Sequence, residues 1–466
     1  MRLPGRQLLF YGDCMMYRAV SRVFAVLLAL LVASFFFVPE QHQRNWLLYL
    51  AAATAHLFLL HGSTVKGAFA GSCGWAVPGL LAVPLLSLAW SGPVAGEIAA
   101  DLLLAAWCVL LIYLGVAHLV RQSPLAIERL RQTLLLGANL GALISLVHWA
   151  AGYDAGFPRL PGALGLDNPV HGSVLLLAAT LPVWIRFAEG SVRPWWLLAV
   201  AAPCAFALLA GSRTALAAYI LMVAFLLRPR FRPRAMATGI LVLVVASAAA
   251  IFGSDTLRAI WLDRGLSYRP EIWGQAWAAW LACNPLIGCG VAAPLEVEYL
   301  PGIVTGRAHS LYVAALYHQG IVGAAVFLGI SLWLLFRAGD DPFVIDEARG
   351  LAPTPIIPNS PQSPERPPGT QDRQDEGRGD LATDGSAPAT IRVRRRDWAT
   401  MLAYVLLASA TSGDHILVRT TLFWCYFWLP VMVLAASGSA LASASAWAPA
   451  SAPRVSERGN SPADPA

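Results

Sequence analysis

The stretch Arg307-Ala-His-Ser-Leu-Tyr-Val-Ala-Ala-Leu-Tyr-His-Gln-Gly-Ile-Val-Gly323 carries a polar loop into an apolar run that continues to about residue 336. A run of that length crosses a bilayer as a helix. His309 and Ser310 stand just ahead of it, and Gly320 and Gly323 lie within it. His309 is therefore expected at a membrane surface, at the end of a long loop. A neutral imidazole there is suited to taking a proton from a hydroxyl near pH 7. A lone histidine at a membrane surface is more often only an interfacial polar residue, so the neighbouring sequence must decide.

Outward from this stretch, similar apolar runs recur. The chain is 57% hydrophobic and 13% charged, with a mean hydropathy of +0.59. A soluble protein carries about a quarter charged residues, so the composition reads as an all-α polytopic membrane protein. Twelve spans are expected, near 23–38, 46–60, 74–90, 98–120, 133–151, 170–185, 195–210, 214–227, 235–253, 310–336, 399–412 and 417–436. The net charge of +6 is carried by arginine, Lys66 being the sole lysine. Basic residues in membrane proteins concentrate in cytoplasmic loops. With the N-terminus inside, the short inside loops hold fourteen of them, and the short outside loops hold three, Arg44, Arg159 and Arg213. Both termini are thus expected in the cytoplasm, with no cleavable signal peptide. The arginine excess is accounted for without nucleic acid.

The expected organisation is a membrane region 1–336 that includes a large outside loop, 254–309. An inside insertion, 338–398, is dense in Pro, Asp, Arg and Gly and is expected to be disordered. The last two spans follow in 399–436, then a small-residue tail, 437–466, expected to be disordered as well. Within the large loop, Ile272, Trp273, Ala276, Trp277 and Trp280 have helical spacing, which predicts a helix along the membrane surface. Cys283 and Cys289 share that loop, and spacing alone leaves open whether they pair. No cysteine spacing suggests zinc, and no carboxylate cluster suggests another metal.

The outside arginines run against the positive-inside rule and need a reason. Arg213 lies in the tight turn Gly211-Ser-Arg213, where a guanidinium can grip a phosphate through two parallel hydrogen bonds. It can instead bind lipid headgroups or cap a helix, but the turn leaves it little freedom to reach elsewhere. Arg269 opens the surface helix with Trp273 one turn on, which also fits a cation–π pair. Arg159 lies in Arg159-Leu-Pro-Gly162, ahead of Asn168-Pro169. Arg264 and Arg258 are less specific. Asp101, inside an apolar run, is a functional candidate by default, while His148, His171 and His318 carry no such signal.

Arg159-Leu-Pro-Gly162 with Asn168-Pro169, Gly211-Ser-Arg213, Arg269-x3-Trp273 with Pro285-Leu-Ile-Gly-Cys-Gly290, and His309-Ser310 followed by Gly320-x2-Gly323 together resemble the bacterial O-antigen ligase and polymerase superfamily. The last pattern resembles the ligases in particular. Each piece is short, and their order and common outside placement carry the resemblance, over roughly 130–336. It implies a GT-C-like, metal-independent glycosyltransferase without cofactor, in the bacterial inner membrane. The implied donor is a glycan on undecaprenyl pyrophosphate and the implied acceptor is lipid A–core, both met at the periplasmic face among membrane lipids. His309 and Arg213 become catalytic, and Arg159, Arg264 and Arg269 bind pyrophosphate or glycan. The insertion 338–398 departs from the family pattern but lies across the membrane from the chemistry. An O-antigen polymerase and a protein O-oligosaccharyltransferase remain alternatives. A transporter or flippase would want polar groups deep in the membrane, where little besides Asp101 is found.

Overall fold

A computed structural model describes residues 5–60, 62–93, 95–152, 159–231, 238, 252–261, 268–338, 343–345, 391–410, 422 and 424–447. The α-helices are α1 (Gly5–Phe37), α2 (Gln41–His56), α3 (Gly62–Ala68), α4 (Ala76–Leu86), α5 (Ala95–Gln122), α6 (Pro124–Ala150) and α7 (Pro169–Ala188). They continue with α8 (Leu198–Leu209), α9 (Arg213–Leu227), α10 (Asp255–Trp261), α11 (Arg269–Ala282), α12 (Leu311–Arg337), α13 (Arg395–Ala408) and α14 (Leu429–Trp447). Two short antiparallel ladders interrupt this helical order. One is β1 (Val297–Leu300) with β2 (Ile303–Thr305), and the other is β3 (Phe343–Ile345) with β4 (Ile391–Val393).

Among the described residues, six helices are long and apolar enough to cross a membrane: Met16–Phe37, Ser72–Trp90, Ile98–Gln122, Pro124–Ala150, Pro169–Ala188 and Leu311–Arg337. The bent pair Gln41–Leu60 and Gly62–Ala68 makes a seventh if it is one span. Length and composition therefore support fewer than the twelve expected spans. Those near 195–210, 214–227 and 417–436 coincide with shorter apolar helices. The span expected at 235–253 lies almost entirely outside the described residues.

The ends of these helices follow local rules. Pro124, Pro169 and Pro270 stand in the first turns of α6, α7 and α11, where a missing N–H costs nothing. Asn168 caps α7 by accepting from the backbone N–H of Val170 and His171 at 3.1 and 3.2 Å. Ser310 caps α12, and Leu311 N–H donates to Ser409 O at 3.1 Å, tying the start of α12 to the end of α13.

The stretch read as a disordered tail from 437 is helical through Trp447. Its small residues serve packing, because helices in lipid associate through close contact rather than hydrophobic exclusion from water. A Cβ on Gly438 would lie 2.5 Å from the Cys73 sulfur, and Ser437 and Ser439 are buried. The insertion is likewise shorter than its composition implied. Val344 pairs with Arg392, so β3 and β4 close the root of residues 346–390, and α13 has begun by Arg395 with Asp397 and Trp398 buried.

The end of the helical body expected inside is organised by ion pairs. Glu128 accepts from Arg131, and from Arg186 at 3.0 Å. Arg394 and Arg396 engage Glu189. Asp397 lies 3.7 Å from Arg131, yet burial pushes its carboxyl up to about 6.

The large loop builds a second, smaller core. Ile272, Ala276 and Trp280 of α11 pack with Leu295, Val297, Ala308, Ala314 and Tyr317. The predicted helix thus turns one face onto α12, while Trp277 and Leu281 stay exposed on the other.

Candidate functional site

Three loops meet at the end expected outside. The first runs from Arg159 to Asn168. Leu160 N–H donates to Leu209 O at the end of α8, at 3.1 Å, and Ala163 N–H donates to Ser145 Oγ at 3.0 Å. Gly162 is required here: its φ is +91°, and a Cβ would lie 1.9 Å from Leu166 O. The motif is thus a scaffold that sets Arg159 beside the end of α8. Arg159 is half-buried, and its Nη1 is buried with no hydrogen-bond partner among the described residues. Burial lowers its pKa. Arg44, also expected outside, is different. It is buried and donates to Val38 O at 3.0 Å and more weakly to Gly165 O at 3.5 Å, which makes it a brace for this loop.

The second loop is the turn from α8 to α9. Gly211 has φ +64°, and a Cβ there would lie 2.8 Å from Ile260 Cγ2 on α10. Trp261 Nε1 donates to Leu208 O at 3.1 Å, so α10 is seated on the turn that delivers Arg213 to the first position of α9.

The third loop delivers Arg269 and His309. Arg269 opens α11, and its pKa is lowered by burial first and by the positive charge of Arg213 second. The two guanidinium groups therefore share one field, and among the described residues neither has an ion pair. Like charges held together without counter-charge form a site that favours an anion. The cation–π pairing of Arg269 with Trp273 is not formed. Trp273 Nε1 instead donates to Ala308 O at 3.1 Å, fixing the residue before His309 one turn from Arg269.

The backbone is strained where these groups are presented. Among the described residues, the non-glycine residues with positive φ are Leu164, Tyr268 and His309, at 56°, 54° and 50°. One lies in the Arg159 loop, one directly precedes Arg269, and one is the candidate base. Such conformations persist only where surrounding structure enforces them, and they concentrate at functional sites.

The remaining motif glycines serve architecture. Gly320, with φ 66° and ψ −169°, breaks α12. The backbone groups exposed by the break are taken by the Pro285–Gly290 loop. Cys289 and Gly290 N–H donate to Tyr317 and His318 O at 2.8 and 2.9 Å, and Ile321 and Val322 N–H donate to Pro285 and Leu286 O, both at 3.0 Å. A Cβ on Gly288 would meet Gly320 N at 2.5 Å. Cys283 and Cys289 are joined by a disulfide, with Cα atoms 5.3 Å apart, which ties the end of α11 to this loop. The sequence left that pairing open.

His318 is buried, and its Nδ1 donates to Gly290 O at 2.9 Å, which makes it part of the same frame. His171 Nδ1 lies 2.6 Å from Tyr426 Oη. Arg258 is exposed on α10, and Asp101 is exposed on α5. Arg264 lies outside the described residues. Sequence reasoning missed Trp273 as the link to His309; its only signal was an indole one turn after Arg269.

Two comparisons bear on this arrangement. Residues 198–328 match the family model Wzy_C, described as O-Antigen ligase, a range holding Arg213, Arg264, Arg269 and His309 but not Arg159. The chain is also 25% identical over 305 residues to the O-antigen ligase of Pseudomonas aeruginosa strain PAO1, covering 64% of this chain and 74% of that protein.

Proposed function

We propose that the chain, similar over residues 198–328 to the O-antigen ligase family, is a member of that superfamily and transfers a glycan from undecaprenyl pyrophosphate to lipid A–core at the periplasmic face of the inner membrane. The observation that carries this reading is the pair of guanidinium groups, Arg213 and Arg269, which share one field beside the loop of His309 with no ion pair among the described residues. A diphosphate ester is a ligand that suits such a site, and Arg159, whose buried Nη1 has no hydrogen-bond partner among the described residues, would offer a third cation.

The reaction follows from these roles. His309 takes the proton of an acceptor hydroxyl as its oxygen forms a bond to the anomeric carbon. The bond from that carbon to the phosphate oxygen breaks, and undecaprenyl pyrophosphate leaves with the electron pair. Attack opposite the leaving group inverts the anomeric centre. Arg213 and Arg269 stabilise the charge that develops on the leaving phosphate, and fixed donors do so without reorganisation. The arginines supply the positive charge, so the reading needs neither metal nor cofactor. Placing α11 and its disulfide in the periplasm agrees with an oxidising compartment, and both termini then lie in the cytoplasm.

The test is the lipopolysaccharide ladder of a deletion strain. Loss of a ligase leaves core without O-antigen while carrier-linked polymer accumulates. Core bearing a single repeat would instead assign polymerisation. An unchanged ladder with loss of a glycosylated protein would assign protein O-glycosylation.

A further inference from the structure

We infer that Tyr268 and Tyr299 form a sugar-stacking platform at the edge of the arginine site, holding a pyranose ring of the glycan that the donor or the acceptor presents. The inference rests on the transfer reaction proposed above and adds a glycan subsite to it.

Tyr268 occupies the N-cap of α11, with φ 54°, and its side chain makes no capping hydrogen bond. Asn, Asp, Ser or Gly would serve that position better, and Gly or Asn would also tolerate the left-handed backbone. A tyrosine there is therefore disfavoured twice over by local structure. The residue is 46% exposed, so burial does not compensate. What the ring does is meet Tyr299, at 5.6 Å between centroids with planes inclined by 47°.

Tyr299 comes from a separate element. It lies on β1, two residues after the buried Val297, and β1 is held to α11 by Gln275 Nε2 donating to Glu298 O at 2.6 Å. Two tyrosines on fixed backbones thus share a partly open edge, and one of them immediately precedes Arg269. An aromatic face carries partial negative charge, and the axial C–H groups of a pyranose present a weakly positive, apolar face of matching size. A ligand whose phosphates reach Arg269 would place its nearest sugars against this edge.

The experiment uses the full chain in nanodiscs with three probes: O-chain oligosaccharide released by mild acid from its polyprenyl pyrophosphate carrier, and so free of core; deacylated core oligosaccharide; and undecaprenyl pyrophosphate. The variants are Tyr268→Gly, Tyr268→Phe and Tyr299→Ala. Tyr268→Gly relieves the left-handed backbone, so its melting temperature is expected to hold or rise. Both Tyr268→Gly and Tyr299→Ala are expected to weaken one of the two oligosaccharides roughly tenfold. Tyr268→Phe should bind it as the wild type does, and undecaprenyl pyrophosphate should bind all variants equally. A loss confined to the O-chain fragment assigns the platform to the donor, and one confined to the core fragment assigns it to the acceptor. Oligosaccharide binding by Tyr268→Gly and Tyr299→Ala equal to that of the wild type overturns the inference, as does a wild-type protein that binds neither oligosaccharide. If an oligosaccharide binds through these rings while undecaprenyl pyrophosphate does not bind at all, the transfer reaction fails and the platform stands.

Discussion

The two ends of this helical body use arginine in opposite ways. At the end expected inside, Arg131 and Arg186 share Glu128, and Arg394 and Arg396 share Glu189. At the other end, Arg269 feels the positive charge of Arg213, and among the described residues neither has an ion pair and Arg159 keeps a buried nitrogen without a partner. Arginine bound to carboxylate holds helices together, whereas arginines that share a field without counter-charge favour an anion. The same residue type thus marks structure at one end and a candidate binding site at the other.

The most direct way to break this comparison is to invert it. In a cysteine-free variant, single cysteines placed near Glu296 and near Gly379 are expected to differ completely toward an impermeant maleimide, with label at 296 and none at 379. The reverse pattern would place the unpaired arginines in the cytoplasm.

Next in size is His309. Loss of a positioned base costs about 10²- to 10⁴-fold in rate, so His309→Ala should abolish visible transfer while donor still binds. The pH profile should lose its ascending limb near the imidazole range. His318 gives the contrast, because it holds Gly290 O and not substrate. His318→Ala is expected to cost about 1–3 kcal/mol of stability and to keep the ascending limb. If His318→Ala is the variant that loses the limb, the base has been misassigned.

Arginine geometry sharpens the comparison further. Arg213→Lys or Arg269→Lys keeps the charge and loses the two-pronged grip, and is expected to lower transfer about 10- to 100-fold. Arg394→Lys, at a partly exposed pair with Glu189, should change stability by less than about 1 kcal/mol and leave transfer alone. Equal tolerance at both ends would remove the distinction between them.

Asp397 tests the paired end itself. Its carboxyl is raised from 3.8 to about 6 by burial, against the pull of Arg131. A carboxyl raised in the folded state opposes folding once it ionises, so its contribution is harmless below about pH 4 and unfavourable above about pH 6. Asp397→Asn is therefore expected to raise stability at pH 8, by on the order of 2 kcal/mol, with the gain shrinking as pH falls from 6 toward 4. Arg131 keeps Glu128 in that variant. Lower stability of Asp397→Asn at pH 8 would mean that the ion pair outweighs burial. The smallest effect is expected from replacing residues 350–390 with a short Gly/Ser linker. Pairing of β3 with β4 already brings the ends together, so transfer should be largely intact, and its loss with normal insertion would give the segment a role in assembly.

The fold was legible where one kind of signal dominated. The apolar runs at 98–120, 133–151, 170–185 and 310–336 reappear as α5, α6, α7 and α12, because a run of that length has few alternatives. The reading failed where composition is ambiguous. Alanine and serine after residue 437 serve a flexible tail or a tight helix contact equally well, and only the approach of Gly438 to Cys73 decides between them. The β1–β2 hairpin escaped because its strands are four and three residues long, although Pro301-Gly302 marks its turn.

The sequence by itself determined that the chain is a multi-pass membrane protein, and it set two expectations: that arginine separates two faces, and, through the family resemblance, that Arg213, Arg269 and His309 belong to one motif set. Those properties are written in hydropathy, charge and spacing, which a linear chain carries without folding. Tertiary structure alone decided that Arg269 stands in the field of Arg213, that Trp273 reaches Ala308 instead of stacking on Arg269, and that Gly320 opens α12 for the Pro285–Gly290 loop. Each of these joins residues distant in sequence whose side chains or backbone groups had more than one way to be satisfied. Which way prevails depends on the packing of α10, α11 and α12 around them.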